Sequence, residues 1–225
     1  KIWQLPESYF CFSPPEFDLD VGSLPAYSNG FITFGCLNQI SKMTAAVVSV
    51  RARLLHAVPG SKLLLKNKGI DIEPNRSRIL SMFSEVGIHP WRLILEGEST
   101  REEHLACYQR IDIALSPFPY NGGTTSVEGL WMGVPVITMR GDHFVSHVSE
   151  SIAHNAGLAE WVAADEDEYI AKGLAFASDL NALSILRKRL REKVLRQSLF
   201  DAERFACHFG EAVLAMRKIL ARSER

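Results

Sequence analysis

Residues 111–139 read IDIALSPFPYNGGTTSVEGLWMGVPVITM, and the punctuation of this stretch decides the fold. IDIAL (111–115) is an apolar run of buried-strand length. Pro117, Pro119, Gly122 and Gly123 then force a turn, and residues 124–132 read as a helix. Gly133 suits the helix end, and VPVITM (134–139) is the next apolar run. Strand, crossover helix and strand in this order form a βαβ unit.

The same cadence extends upstream. FITFG (31–35), KLLLK (62–66) and RLILE (92–96) are further strand-length runs, and helical stretches are expected at 44–57, 75–86, 101–109 and 144–155. The expectation is an α/β, Rossmann-like parallel sheet with flanking helices. After residue 165 the strand signals stop. Residues 165–178, 180–197 and 201–222 read as consecutive C-terminal helices, with Asp165, Asp179 and Asp201 as N-caps. Residues 1–29 lack periodicity: Pro6, Pro14, Pro15 and Pro25 interrupt Trp3, Tyr9, Phe10, Phe12 and Phe17, as expected of an extended arm that buries aromatics. The predicted organisation is an arm (1–29), a Rossmann-like domain (30–178) and helices packing on it (179–225). The chain opens on Lys1 and runs into apolar residues, so it is expected to be a piece of something longer.

Composition narrows the function classes. Twenty-five Lys+Arg against 26 Asp+Glu give a formal net charge of -1, which supplies no general field for a polyanion. Hydrophobic residues at 47% and charged residues at 23% are ordinary for a globular chain and argue against disorder. No apolar stretch has membrane-helix length, so neither nucleic acid nor membrane is an expected partner. Cys11, Cys36, Cys107 and Cys207 form no C-x-x-C pair. That fits free thiols in a reducing, cytoplasmic setting.

Two loops can carry chemistry. Pro117–Glu128 leaves a strand, turns through two glycines and enters a helix. Gly123, Thr124 and Thr125 then offer backbone N–H groups, hydroxyls and the positive end of a helix dipole, which together make a phosphate seat. One turn on, the carboxylate of Glu128 is placed to accept from ribose hydroxyls. The same letters also suit a plain strand–turn–helix junction with a threonine cap. The second loop, FGCLNQISK (34–42), presents the Asn38 and Gln39 amides and then Lys42. A cation at the start of a helix faces the wrong end of its dipole and asks for an anionic partner. Thr100-Arg101-Glu102-Glu103 has capping-box spacing, which puts His104 one turn into its helix near the carboxyl edge of the sheet.

Other features read as bland. His143 and His147 have the spacing of a metal-binding helix face but lack an acidic or cysteine partner at a telling distance, so no metal is expected. Arg187, Lys188, Arg189, Arg191, Lys193 and Arg196 read as a solvated helix face relieved by Glu192. No GxSxG, HExxH or Walker loop is present, and no GxGxxG opens the first helix, which counts against hydrolase, ATPase and dehydrogenase readings.

The strings FPYNGGTTSVEGLWMGVPVITM, FGCLNQISK and REEHLACY, in this order, resemble the carboxyl-terminal catalytic half of the protein O-GlcNAc transferase family, to which Spindly-type protein O-fucosyltransferases also belong. The likeness runs from about Phe31 to the last helix, and LPESYFCFSPP is similar to the family's linker between its catalytic halves. It implies an inverting, metal-independent GT-B glycosyltransferase that needs no cofactor, of which this chain is the nucleotide-sugar half. By resemblance, Gly123, Thr124 and Thr125 hold the diphosphate and Glu128 takes the ribose, where many relatives carry Asp. Lys42, beside Gln39, stabilises the departing nucleotide and is the catalytic residue. His104 stacks on the base, with Arg101 and the Ser99 backbone around it. Gly123 stands where animal members carry histidine.

The family places a further essential histidine and much of the acceptor site in an amino-terminal half, with tetratricopeptide repeats upstream. A fragment lacking them is expected to bind donor without transferring sugar. The implied donor is UDP-GlcNAc, towards which Asn38-Gln39 leans, and the implied acceptor is Ser/Thr of proteins. GDP-fucose stays open on Phe118-Pro119-Tyr120 and Glu128, as does a non-catalytic binding module.

Overall fold

Strands covered on both faces of a parallel sheet read as near-continuous apolar runs, and each of the five predicted runs overlaps a strand. The computed structural model describes residues 3–223. In chain order its elements are α1 (Pro25–Asn29), β1 (Thr33–Cys36), α2 (Ala45–Ala57), β2 (Lys62–Lys66), α3 (Asn75–Glu85), β3 (Leu93–Glu96), α4 (Arg101–Ala106), β4 (Ile113–Leu115), α5 (Thr124–Trp131), β5 (Val136–Met139), α6 (Val148–Asn155), β6 (Val162–Ala163), α7 (Glu166–Ser178), α8 (Leu180–Leu195) and α9 (Ala202–Ser223). The strands form one six-stranded sheet in the order β3-β2-β1-β4-β5-β6. All its pairings are parallel, with Phe34 opposite both Leu63 and Ile113.

This order reverses direction between β1 and β4. Consecutive βα units leave β1 towards β3 on one side and continue from β4 to β6 on the other. At such a switch point the loops after the two strands splay apart, and a crevice opens at their carboxyl ends. The two chemically promising loops are the ones that leave β1 and β4.

The central strands are the most buried, with Phe34, Leu63, Leu64 and Ile113 inaccessible, while edge strand β3 is only partly covered. On the helices, Val47, Val50 and Leu54 of α2 point into the core. A side chain at Gly173 of α7 would meet Leu54 Cδ1 at 2.6 Å, so glycine lets α2 and α7 approach closely. The caps fall where expected: Asp165, Asp179 and Asp201 accept from the N–H groups of Glu168, Ala182 and Arg204 at 2.8, 2.8 and 2.9 Å. Thr100 and Glu103 form the predicted capping box.

Several expectations need correction. The stretch 101–109 is α4 followed by a 3-10 turn, Cys107–Arg110, and 144–155 is a 3-10 turn, Phe144–Ser146, followed by α6. A sixth strand and a short helix inside the arm were not foreseen. The basic run of α8 is not simply a solvated face. Arg187 is 1% exposed and donates to the carbonyls of Ile111, Tyr108, Val21 and Gly22 at 2.7, 3.2, 3.2 and 3.4 Å. Arg191 donates to Leu19 O and Trp131 O, both at 2.6 Å, and lies over the Trp131 ring. These two arginines strap the arm to the sheet, and Gln109 adds a bond to Asp20 O at 2.7 Å.

Candidate functional site

The loop after β1 is held by its own hydrogen bonds. Ile40 N donates to Asn67 Oδ1 at 3.3 Å, and Lys42 N closes a turn on Gln39 O at 3.0 Å. Lys42 therefore sits in a 3-10 turn just ahead of Thr44, the N-cap of α2. Its half-buried amine donates to Asn121 O at 2.8 Å and lies 3.7 Å from the centre of the Tyr120 ring. Burial lowers the Lys42 pKa from the ordinary lysine value, opposed by the nearby Cys36.

The loop after β4 meets it from the other side of the switch point. Asn38 Nδ2 donates to Thr125 Oγ1 at 2.7 Å, tying the two loops together. Tyr108 OH donates to Thr125 O at 2.7 Å and steadies the same turn of α5 from beneath. Gly123 is the N-cap residue, and the N–H groups of Gly123, Thr124 and Thr125 have no acceptor among the described residues. Gly122 has no room for a side chain: a Cβ would lie 2.7 Å from Ser126 Oγ and 2.9 Å from Asn38 Nδ2.

These loops enclose a cleft of about 390 Å³ lined by Gln39, Lys42, Gly123, Thr124 and Thr125 with Asn38, Asn67 and Asn121. Five of the predicted site residues thus share one wall system. The arm contributes to the cleft as well. Tyr9 and Phe10 line it, and Tyr9 packs edge-on to Phe10 and tilted against Phe144. Sequence reasoning anticipated buried aromatics in the arm but gave no destination for them. Asn121 was also missed: it is fully buried, and its amide donates to Pro117 O and Met139 O at 3.0 and 3.3 Å.

Of the remaining predicted residues, Arg101, His104 and Glu128 form a second group. Glu128 is 2% exposed, with Arg101 Nη1 at 2.6 Å and His104 Nε2 at 3.7 Å. Burial alone would raise its pKa, but the His104 and Arg101 contacts outweigh it and hold the carboxyl below the usual range. Ser99, part-buried, lies just after β3, with its hydroxyl 3.3 Å from Thr100 O. Ser99, Arg101, His104 and Glu128 do not line the 390 Å³ cleft; Arg101 and His104 contact α5 at Glu128.

Features outside this region resolve simply. His143 and His147 do not share a helix face: His143 precedes the 3-10 turn, and His147 Nδ1 lies 2.6 Å from Glu150. Among the described residues no group of three or more His, Cys, Asp or Glu is placed to hold a metal. Asp-x-Asp spacing occurs twice, at Asp18–Asp20 and Asp165–Asp167, away from the cleft. The four cysteines are free. No helix among the described residues is long and apolar enough to cross a membrane.

A parallel sheet in the 3-2-1-4-5-6 order, with a glycine–threonine helix start and a lysine meeting at its switch point, defines a Rossmann-like unit. Residues 23–209 match the profile of glycosyl transferase family 41, and the chain belongs to that family. It is 41% identical over 217 residues to the probable UDP-N-acetylglucosamine–peptide N-acetylglucosaminyltransferase SPINDLY of Hordeum vulgare, covering 96% of this chain and 23% of that protein. The UDP-N-acetylglucosamine–peptide N-acetylglucosaminyltransferase of Caenorhabditis elegans is 28% identical over 183 residues, 81% of this chain and 16% of that one. A mutant O-GlcNAc transferase of Thermobaculum terrenum superposes with a TM-score of 0.90 at 33% identity, covering 99% of this chain and 42% of that chain. The chain thus spans under a quarter of the barley relative and less than half of the bacterial one.

Proposed function

We propose that this chain is the donor-binding half of a protein O-glycosyltransferase and holds UDP-GlcNAc for inverting transfer to Ser/Thr hydroxyls. One observation carries the reading: Lys42 and the Gly123–Thr125 helix start converge on a single cleft from the two loops of the switch point. There the amine, three free N–H groups and two hydroxyls can surround a diphosphate. As the sugar bond breaks, negative charge grows on the leaving phosphate, and donors already aimed at it stabilise that charge without reorganising. Lys42 makes the largest contribution because it brings a full charge. The Gln39 amide stands beside it. His104 supplies a flat platform for the base, with Arg101 and the Ser99 backbone around it, and the ribose diol shares the Glu128 carboxylate with Arg101.

On this reading, binding needs no divalent cation, since the amine and the helix start provide the counter-charge. The acceptor polypeptide, a second catalytic half and tetratricopeptide repeats belong to the longer protein, in a reducing cytoplasmic compartment suited to free thiols. A second reading, GDP-fucose as donor, is favoured by Phe118-Pro119-Tyr120 and Glu128, which resemble the Spindly type.

Calorimetric titration of the chain with UDP, GDP, UDP-GlcNAc and GDP-fucose tests both. The expected result is preference for the uridine ligands, unchanged in EDTA. Preference for the guanosine ligands moves the assignment to the second reading. Binding lost in EDTA and restored by Mn²⁺ overturns the metal-independent account, and no binding of any ligand overturns the proposal.

A further inference from the structure

Beneath the glycine turn, three serines from three separate elements meet. Ser116 directly follows β4, Ser126 lies in the first turn of α5, and Ser149 lies in the first turn of α6. They are 2%, 4% and 2% exposed. Ser149 Oγ is 3.0 Å from Ser116 Oγ and 3.1 Å from Ser126 Oγ, and it donates to Gly122 O at 2.6 Å. Gly122 N donates to Ser116 Oγ at 2.9 Å.

The protons of this cluster have one consistent arrangement. A carbonyl can only accept, so the Ser149 hydroxyl proton goes to Gly122 O. The other two contacts of Ser149 must then be acceptances, from the hydroxyls of Ser116 and Ser126. The result is a closed ring: Gly122 N–H to Ser116, Ser116 O–H to Ser149, Ser149 O–H to Gly122 C=O. Ser126 donates into the ring from outside it. Each hydroxyl proton has an acceptor, and hydrogen bonds linked in this way polarise one another.

We propose that this serine ring is the positioning device of the phosphate seat, with Ser149 as its keystone. By holding both polar groups of Gly122, the ring fixes the two peptide planes of that residue. The plane that carries the Gly122 carbonyl also carries the Gly123 N–H, so the ring sets the direction of that donor at the start of the seat. A buried hydroxyl contributes little net stability even when satisfied, and an apolar junction would hold a turn as well. What a ring adds is orientation. The neighbouring residue is held as firmly: Asn121 N donates to Val145 O at 3.1 Å, and its carbonyl is the resting partner of Lys42. Ser149 also couples the seat to α6, whose Val148 lines the same cleft. The inference rests on the reading that the diphosphate lies at Gly123–Thr125.

The test compares Ser149→Ala, Ser116→Ala and Ser126→Ala by calorimetry with UDP, inorganic pyrophosphate and uridine. Ser149→Ala and Ser116→Ala open the ring and are expected to weaken UDP and pyrophosphate by at least roughly fivefold, the equivalent of one net hydrogen bond. Uridine affinity is expected to stay within about twofold in the same variants. Ser126→Ala leaves the ring closed and is expected to keep wild-type affinity for all three probes. General loosening of the fold would instead weaken uridine and UDP alike, and that result overturns the proposal. So does UDP affinity within about twofold of wild type in folded Ser149→Ala. Should Ser149→Ala not fold, Ser149→Cys keeps a weaker donor in place, and an intermediate, diphosphate-selective loss is the expected result; wild-type UDP affinity in that variant counts against the ring. If wild-type chain binds UDP in a Lys42-dependent way while the serine variants match it, only the ring fails. If wild-type chain binds neither UDP nor pyrophosphate, the function reading fails with it.

Discussion

Replacing Lys42 with alanine probes the phosphate seat at its one full charge. The amine rests 2.8 Å from Asn121 O and against the Tyr120 ring, which together occupy part of its donor capacity and leave the rest turned into the cleft. It is half-buried, so its charge is less screened than that of a surface lysine, and the lowered pKa reflects the cost of burying a charge. A diphosphate relieves that cost. A charge-assisted contact of this kind is worth ~1.5–3 kcal/mol, so Lys42→Ala is expected to weaken UDP roughly 10–100-fold. Uridine carries no diphosphate, and its affinity should not move. Rising salt should weaken wild type more than the variant, because the variant has already lost its ionic contribution. Isothermal calorimetry at two ionic strengths reads all of this. UDP binding to Lys42→Ala within about twofold of wild type, under ~0.5 kcal/mol, would refute the placement of the phosphate.

Three further substitutions probe a buried carboxylate, a buried guanidinium and the glycine turn. Glu128 has a folded pKa below its unfolded value of ~4.3, so its contribution is present above that value and is lost as pH falls through the lower folded one. In urea unfolding, wild type should therefore exceed Glu128→Gln in stability from about pH 5 upward, and the gap should close on acidification; an equal gap at pH 3 and pH 7 contradicts this. Burial pushes Arg187 down to about 10, opposed by Asp112, so it stays charged near neutrality. Arg187→Ala uncovers carbonyls of the arm and the sheet and should cost about 3 kcal/mol or more, with UDP affinity of the folded protein unchanged; a loss under ~1 kcal/mol would mean the strap is dispensable. Gly122→Ala places a methyl within 3.0 Å of Ser126, Asn38 and Thr125, and should reduce UDP affinity more than uridine affinity in the same titration.

The sheet was legible because strands of a covered parallel sheet leave mostly apolar runs, and β1 to β5 each coincide with one. β6 has two residues, Val162 and Ala163, too few to stand out as a run. The phosphate loop was legible because glycines, threonines and a helix start are adjacent in the chain. The serine ring was not, since Ser116, Ser126 and Ser149 become neighbours only when three elements pack. Arg187 and Arg191 were misjudged for a related reason. Helical spacing says that side chains point in different directions, but not that one direction holds the free carbonyls of a strand-like arm. Tyr9 and Phe10 carry no positional signal at all, and only the path of the arm brings them to the cleft.

That path has an evolutionary consequence. An ideal Cβ at Gly123 would lie 3.2 Å from Phe10 Cε2, so the arm has taken the volume that a larger residue at the helix start would fill. Positions 10 and 123 are therefore expected to vary as a pair across homologues: a bulky side chain at one should accompany a small one at the other. A lineage that gained a histidine at 123 would have had to trim or redirect the aromatic at 10, either first or in the same step. Enlarging position 123 alone would pass through an intermediate in which Phe10 is pushed away from the helix start.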